Sequence, residues 1–238
     1  MEIGVIEAPT VKELFIKKIA GMIICGELAP GDQLPSEREL AAQARISKSA
    51  VHFAMAELER LGFVETRARQ GTFVSDYTKT GTIETLNMLM SYNRESFLDR
   101  SRMEDMLEMR MAIEGKALEV LAETLTPESM KALEEDVERS AEIAAASSDI
   151  RALAVSFFDF HHDICFLSGN FILPLLFNSF RVVTLSYWEH AIRFLGKEKC
   201  MKLMYDLLEV IRKQDADRSV AFLRDEFKMF LRLIEKRR

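Results

Sequence analysis

The chain has 238 residues, of which 48% are hydrophobic and 29% are charged, and its formal net charge is −6. This length allows two modest domains with buried cores, whereas the acidic balance is not that of a generally basic nucleic-acid-binding protein. No apolar run approaches the roughly 20 residues that a membrane-spanning helix needs, so no membrane association is expected.

The first 77 residues predict three helices followed by a β-hairpin. Capping residues, a proline-glycine turn and terminal glycines bound helices over residues 10–25, 37–43 and 47–62. Two β-prone runs around a basic, glycine-containing tip then predict a hairpin over residues 63–75. Elements in this order form a winged helix-turn-helix, so residues 1–77 are predicted to be one domain.

Only helices are predicted after the hairpin. A linker at about residues 75–82 leads into a second domain, residues 78–238. The predicted helices run over about residues 82–93, 96–124, 127–146, 149–168, 171–195, 198–213 and 215–236. Seven helices with short connections predict an antiparallel bundle, so the fold class of the whole chain is mainly α.

The predicted winged helix-turn-helix carries cations and short polar side chains where this fold meets DNA. Its third helix lies in the major groove with its first residues at base edges, and its wing tip follows phosphates or the minor groove. The candidate residues are Arg38, Arg45, Ser47, Lys48, Ser49, His52, Arg67 and Arg69. Each alone is also an ordinary solvated residue, and winged helices also serve as protein-interaction modules, so the DNA prediction depends on the joint arrangement.

The segment LPSERELAAQARISKSAVHFAMAELERLGFVETRARQGTFV resembles the DNA-binding domain of GntR-type bacterial transcription regulators. The resemblance covers residues 10–77. The DNA contacts that it implies are those of Arg38, Lys48, Ser49 and the wing residues Arg69, Gln70 and Gly71. The family commonly has arginine where this chain has His52, so the operator sequence is expected to depart from the family norm.

The helical domain resembles the C-terminal ligand-binding domain of the FadR subfamily, the FCD type. The matching motifs are EMRMAIE at residues 108–114, in the family pattern E-x-R-x-x-I-E, and FHHDICFLSGN at residues 160–170. Many members bind a metal through one aspartate and three histidines. By position these ligands fall at Phe157, His161, Met204 and Glu226. One imidazole and one carboxylate do not make that site, so neither a metal nor another cofactor is expected.

A methionine-rich bundle interior favours an organic effector, because methionine adapts to irregular apolar ligands. Arg110, on a helix predicted to face the core, needs an anion there, and either a nearby glutamate or an anionic ligand satisfies it. Because it lacks these metal ligands, the domain resembles the fatty-acid-responsive members of the subfamily. The resemblance implies a carboxylate or acyl metabolite as the small-molecule effector. The candidate effector-binding residues are Arg110, His161, Met204 and Glu226.

Other interpretations of the helical domain are open. His162 and Cys165 have the spacing of a base and a nucleophile, but no orienting third group or glycine-rich phosphate loop accompanies them, so no enzyme is predicted. Asp159 and His162 are placed to ligate a metal together, but further ligands are missing. The main alternative is an interaction protein whose bundle is a dimer clamp without a small-molecule ligand.

The sequence as a whole predicts a ligand-responsive transcription regulator that binds a palindromic double-stranded DNA operator as a homodimer. Its three cysteines are far apart in the chain, which is typical of reduced thiols rather than of a disulfide framework. The first residues lack the basic and apolar regions of a signal peptide. A cytoplasmic protein is therefore expected.

Overall fold

The computed structural model describes residues 9–92 and 100–235, and the chain divides into two units, Met1–Tyr92 and Asn93–Arg238. The N-terminal unit contains α1 (Val11–Ile24), α2 (Glu37–Ala44), α3 (Lys48–Arg60), β1 (Val64–Arg67), β2 (Gly71–Val74), α4 (Tyr77–Thr80) and α5 (Ile83–Tyr92). The C-terminal unit contains α6 (Arg100–Thr124), α7 (Pro127–Ala146), α8 (Ile150–Leu167), α9 (Leu173–Ser179), α10 (Arg181–Leu195), α11 (Lys197–Arg212) and α12 (Ala216–Glu235). A winged helix-turn-helix followed by an all-helical domain is therefore present, and the predicted fold class is confirmed.

Local side-chain caps set the helix starts of the N-terminal unit. At the start of α1, Glu13 N donates to Thr10 Oγ1 at 3.2 Å and Thr10 N donates to Glu13 Oε2 at 2.8 Å. Ser36 and Glu39 form the same reciprocal box at the start of α2. Each box satisfies two backbone N–H groups that a helix start leaves unpaired. Arg45 ends α2 with a φ of 55° and turns the chain toward α3.

The core of the N-terminal unit lies between α1 and α3, and the wing is tied to it. Buried side chains from these two helices include Ile16, Ile19, Ala20, Val51, Ala54 and Leu58. β1 and β2 pair antiparallel with Val64 opposite Val74. Leu34 N, in the loop before α2, donates to Thr72 O at 2.9 Å. This bond connects the wing to the helix-turn-helix, so the wing has a defined position within its unit.

The segment after the hairpin packs on the N-terminal unit. α4 occupies part of the linker predicted at residues 75–82, and α5 packs against α1. The hydroxyl of Thr85 donates to Leu61 O at 2.6 Å, and apolar side chains of α5 lie against the core of this unit. The division between the units therefore lies after Tyr92, whereas the sequence placed it after residue 77.

The seven helices described in the C-terminal unit enclose one apolar core. α6 packs on α8 and α12, α7 packs on α8 and α11, and α10 packs on α8 and α11. The largest fully buried side chains of this unit include Phe157, Phe158, Trp188 and Phe230. Within the described residues, no helix combines the length and the apolar composition that crossing a membrane requires.

The prediction of a single helix over residues 171–195 is wrong, because the structure has two helices there, α9 and α10. Phe180, with φ −100° and ψ 16°, lies between them outside the helical conformation. The break lets Phe177 stack on Phe158, with 5.0 Å between the ring centroids, while α10 packs along α8. The periodicity of apolar residues does not report such ring packing, so it did not predict the break between α9 and α10.

Candidate functional site

The first turns of α3 present a largely polar face to solvent. The opposite stripe of the helix is buried and consists of Val51, Ala54, Met55 and Leu58. Ser47 caps the helix, since its Oγ accepts a hydrogen bond from Ala50 N at 3.2 Å and lies 3.1 Å from Ser49 Oγ. Lys48 and Ser49 are exposed on the first turn, where the backbone N–H groups of a helix start favour phosphate.

His52 lies on the same exposed face and is hydrogen-bonded to α2. Its Nδ1 lies 2.9 Å from Glu37 Oε1, so the contact orients the ring and joins the two helices at their surface. The side chain of His52 remains 64% exposed. The ring is therefore both positioned by Glu37 and open to an external partner.

The predicted DNA-binding cations differ in how they are held. Of these cations, Arg38, Arg45, Lys48 and Arg69 are exposed and form no ion pair with any described residue. Arg67 instead pairs with Glu65, and its guanidinium carbon lies 4.5 Å from the ring centroid of Phe73. Arg67 is therefore held on the wing, whereas the other four cations can extend to phosphates.

The tip of the wing is positioned by Gln33, a residue that the sequence analysis did not single out. Gln33 Nε2 donates to Gln70 O at 2.7 Å. Gly71 has a φ of +115°, and a Cβ at this position would lie 2.9 Å from Gln33 Nε2. Glycine is therefore required at this point of the turn, and Arg69, with a φ of 64°, is part of the same tight tip. No sequence pattern marks Gln33, because its partner is distant in the chain.

Phe53 is a second residue that the sequence analysis missed. Its side chain is 64% exposed, and it lies one turn after Ser49 with its ring centroid 5.9 Å from that of His52. An exposed phenylalanine forgoes the stabilisation of burial. In a major groove, an apolar side chain contacts the methyl group of thymine. The sequence could have indicated this exposure, because Phe53 falls outside the apolar stripe of α3.

The acidic residues at the far end of α3 make contacts within the unit. Glu59 Oε1 accepts a hydrogen bond from Thr66 N at 2.7 Å, which joins α3 to the wing. Glu57 Oε1 lies 2.8 Å from Arg60 Nη2, and this hydrogen bond lowers the pKa of Glu57. Both carboxylates therefore have hydrogen-bond partners within the unit, away from the start of α3.

A buried ion pair lies in the core of the C-terminal unit. Arg110 and Glu114 are one turn apart on α6, and Arg110 Nη2 donates to Glu114 Oε2 at 3.0 Å while its Nε donates to Oε1. The guanidinium lies over the rings of Tyr187 and Phe227, at 4.9 and 4.8 Å from their centroids. Of the two anion sources that the sequence left open, the structure shows the glutamate. Arg110 Nη1 nevertheless has no hydrogen-bond partner among the described residues.

His161 extends this polar cluster. Its Nδ1 lies 2.7 Å from Glu114 Oε2, and its ring centroid is 5.2 Å from that of Trp188. Burial lowers the pKa of His161, although the negative charge of Glu114 acts in the opposite direction. Its Nε2, Trp188 Nε1 and the hydroxyl of Thr184 are all buried without a hydrogen-bond partner in the described part of the chain.

Glu226, on α12, is the second buried carboxyl of the cluster. Neither of its oxygens has a hydrogen-bond partner among the described residues. Burial raises the pKa of Glu226 to about 7, although the positive charge of Arg110 acts in the opposite direction. Buried polar groups in native proteins normally bond to protein, water or a ligand. The described side chains around this cluster therefore do not by themselves satisfy its polar atoms.

The structure brings three of the four predicted effector-binding residues together. Arg110 and His161 both contact Glu114, and Glu226 lies within electrostatic range of Arg110. Met204 is fully buried in the same apolar core, on α11. Met204 therefore contributes apolar surface to this core and no polar contact.

The alternative sites are not assembled in the described residues. No three His, Cys, Asp or Glu side chains gather there to hold a metal ion. Asp159 lies 3.5 Å from Arg181, and His162 Nε2 lies 3.1 Å from Asn178 Nδ2, so each of the two residues has another partner. Burial raises the pKa of Cys165 far above that of an ordinary thiol, which keeps it protonated and unreactive.

Comparisons with known proteins agree with this architecture. Residues 15–74 match the family model described as bacterial regulatory proteins, gntR family, and residues 105–228 match the FCD domain. The chain is 31% identical to the HTH-type transcriptional regulator Mce2R of Mycobacterium tuberculosis over 172 residues, which cover 72% of this chain and 69% of that protein. It is 27% identical to the HTH-type transcriptional regulator LutR of Bacillus subtilis over 157 residues, or 66% of this chain and 68% of that one.

Solved structures share the fold. The structure of Lar, described as controlling the expression of the Listeria monocytogenes agr system, matches 97% of this chain and 99% of its own with a TM-score of 0.64. The sequence identity is 14%, so this similarity concerns the fold alone.

Proposed function

The chain belongs to the gntR family of bacterial regulatory proteins and carries an FCD domain, and we propose that it is a transcription regulator whose DNA affinity is set by a small-molecule effector. DNA binding and transcription regulation follow from the family. The effector, the homodimer and the palindromic operator are parts of the proposal. The observation that carries the effector is the buried Arg110–Glu114 pair, surrounded by polar atoms that have no hydrogen-bond partner among the described residues.

The proposed DNA interface is the start of α3 together with the wing tip. Lys48 and Ser49 contact base edges in the major groove, and Arg38 and Arg45 bind phosphates on either side of it. The wing residues 69–71 follow the adjacent minor groove. Support comes from the exposure of these side chains and from the absence of ion pairs to the cations among the described residues.

His52 and Phe53 give this interface its own sequence preference. They lie one turn beyond Lys48 and Ser49 on the same helix. The ring of Phe53 is proposed to contact a thymine methyl group, and His52, positioned by Glu37, to hydrogen-bond to a neighbouring base.

The chemistry of the buried cluster narrows the effector class. Glu114 already neutralises Arg110, so a multiply charged phosphate is disfavoured relative to a single carboxylate or an acyl carbonyl. Arg110 Nη1 and Trp188 Nε1 are donors for such an oxygen. His161 Nδ1 lies 2.7 Å from Glu114 Oε2, and a proton on Nδ1 leaves Nε2 as an acceptor. A carboxylate or acyl metabolite that also carries a hydroxyl or N–H group therefore fits best, and no metal is involved.

The proposed mechanism is a population shift in a cytoplasmic homodimer. Two N-terminal units bind the two half-sites of a palindrome, so their spacing must match the DNA. An effector that binds one arrangement of the dimer more tightly changes the fraction of molecules with matching spacing. Effector binding in the C-terminal unit is thereby coupled to operator affinity.

The DNA part is tested by fluorescence anisotropy on promoter fragments from the protein's own genome. Lys48→Ala should weaken specific binding by roughly 1–3 kcal/mol because Lys48 reads a base, whereas Arg38→Ala should weaken binding to all fragments and lower its salt dependence because Arg38 binds a phosphate. Lys131→Ala, an exposed lysine on α7, is the control and should leave affinity unchanged. Wild-type affinity of both variants across a salt titration removes these residues from the interface. Failure of the wild-type protein to bind any fragment in dilute buffer contradicts the function.

The role of Phe53 is tested by replacing the thymines of a bound site one at a time by uracil, which removes only the methyl group. At the contacted position, uracil should weaken binding of the wild-type protein, while Phe53→Ala should bind both sites equally. If the effect of uracil persists in the variant, Phe53 does not make the contact.

The effector part is tested through Trp188, the chain's single tryptophan, which lies in the cluster. Titration with carboxylates and acyl thioesters should change its fluorescence at the same concentrations that change DNA affinity. Native mass spectrometry of protein purified from its host should show a retained mass. If no compound changes either signal, the dimer clamp without a ligand replaces the sensor.

A further inference from the structure

The contact between α2 and α3 determines which nitrogen of the His52 ring carries a hydrogen. His52 Nδ1 lies 2.9 Å from Glu37 Oε1. A carboxylate only accepts hydrogen bonds, so this bond requires the hydrogen on Nδ1. In a neutral imidazole one ring nitrogen donates and the other accepts. In the neutral ring of His52, Nε2 is therefore the acceptor, and it lies on a different edge of the ring from the one that meets Glu37.

This acceptor is available to an external partner. The side chain of His52 is 64% exposed, and its Nε2 forms no hydrogen bond with any described residue. Lys48 and Ser49, one turn earlier on α3, are exposed as well. Glu37 is the first residue of α2, so the ring is held by both helices of the helix-turn-helix.

The four bases differ in what they offer to an acceptor in the major groove. Adenine N6 and cytosine N4 are amino groups that donate, whereas guanine O6 and N7 and thymine O4 only accept. An acceptor that faces a keto base meets a second acceptor, and both lose their hydrogen bonds to water without gaining a new one. An acceptor on the ring therefore discriminates against guanine and thymine on the strand that it faces. Arginine and lysine side chains, which only donate, have the opposite preference.

We propose that His52 selects an amino base, adenine or cytosine, and that Glu37 is the positioning residue that sets this selection. The inference rests on the DNA interface of the proposed function and adds the class of base that His52 reads. The amide of glutamine both donates and accepts, so Glu37→Gln allows either ring nitrogen to carry the hydrogen. This variant keeps a partner for the ring, and it should lose the preference between the two classes of base.

The first experiment locates the base that His52 reads. Binding of the full chain to a bound promoter site is measured by fluorescence anisotropy at pH 8, where imidazole in water is neutral. Each adenine of the site is replaced in turn by purine and each cytosine by 2-pyrimidinone, which removes only the amino group. At the contacted position the replacement should weaken wild-type binding by about fivefold or more. His52→Ala should show no such loss, and the comparison cancels the effect of the analogue on the duplex itself.

The second experiment tests Glu37 at the same position. Exchanging the amino base for a keto base, with its complement, should weaken wild-type binding by about fivefold or more. Glu37→Gln should bring the ratio of the two affinities close to one. Glu27→Gln is the matched control, because Glu27 is an exposed carboxylate of the same unit that lies outside α2 and α3, and it should keep the wild-type ratio. A purely structural role of Glu37 would weaken binding to both sites equally and leave the ratio unchanged.

Three results overturn the proposal while the proposed function stands, because in each of them the wild-type protein binds DNA. They are a site at which His52→Ala and the wild type respond alike to every removed amino group, a wild-type preference for a keto base at the contacted position, and an unchanged ratio in Glu37→Gln. The fold of each variant is checked by circular dichroism, and Glu37→Ala, which also releases the ring, replaces Glu37→Gln if that variant does not fold. A wild-type protein that binds no promoter fragment overturns both proposals.

Discussion

Replacing Glu226 by glutamine should stabilise the C-terminal unit above neutral pH and have little effect in acid. The carboxyl is buried, and both of its oxygens lack partners among the described residues. Its pKa rises from an ordinary 4.5 to about 7 because burial penalises the charged form. Glutamine has the same shape and no charge, so the substitution removes the ionisation and little else.

The sign of the effect follows from the two pKa values. Below the ordinary pKa of 4.5, Glu226 is protonated in both the folded and the unfolded chain, and its burial carries no charge penalty. As pH rises, the unfolded chain releases the proton first, so the folded state loses stability until pH passes about 7. One pKa unit corresponds to about 1.36 kcal/mol, so the full loss is roughly 3 kcal/mol. Glu226→Gln should regain most of it above that pH.

The assay is urea unfolding at a series of pH values, followed by the fluorescence of Trp188, which reports the C-terminal unit. The measured quantity is the difference in unfolding free energy between variant and wild type. Asp136, whose pKa burial raises to about 6, titrates in both proteins and cancels from this difference. Glu138→Gln, an exposed carboxyl on α7, is the control and should show a flat difference. A flat difference for Glu226→Gln as well would refute the reasoning, because it would mean that the carboxylate is solvated or paired in the folded protein.

Two further substitutions test the wing and the buried pair. Gly71→Ala places a methyl group 2.9 Å from Gln33 Nε2 at a φ of +115°, so DNA affinity measured by anisotropy should fall, whereas Gly169→Ala, which meets no atom within 4 Å, should not change it. Glu114→Gln leaves the charge of Arg110 buried without its partner and should destabilise the C-terminal unit by about 3–5 kcal/mol in urea unfolding. Replacing both residues by apolar ones of similar size should cost less than that, and a larger cost would contradict the ion-pair account.

Much of the N-terminal unit was predictable because its signals are local. The reciprocal caps at Thr10 and Ser36 and the cap at Ser47 lie within three residues of the groups that they satisfy. The turn and the hairpin are likewise marked by glycine and proline. These short-range patterns predicted the winged helix-turn-helix, and they placed the candidate cations at its exposed tips.

The sequence predicted less well where a residue's partner lies far along the chain. The assignment of α5 to the second domain missed the bond from Thr85 to Leu61 O, and the single helix over residues 171–195 missed the stacking of Phe177 on Phe158. Both depend on side chains brought together by packing, which periodicity within one segment does not report.

The sequence by itself determined the order of the elements, the mainly helical class and the residue types available at each surface, because caps, turns and periodicity act over a few residues. The tertiary structure decided that Glu114 is the anion for Arg110, that Glu226 is buried with no hydrogen-bond partner among the described residues, and that one side of α9 is exposed. Burial and charge pairing are properties of the assembled core, and they exist only once several helices have come together.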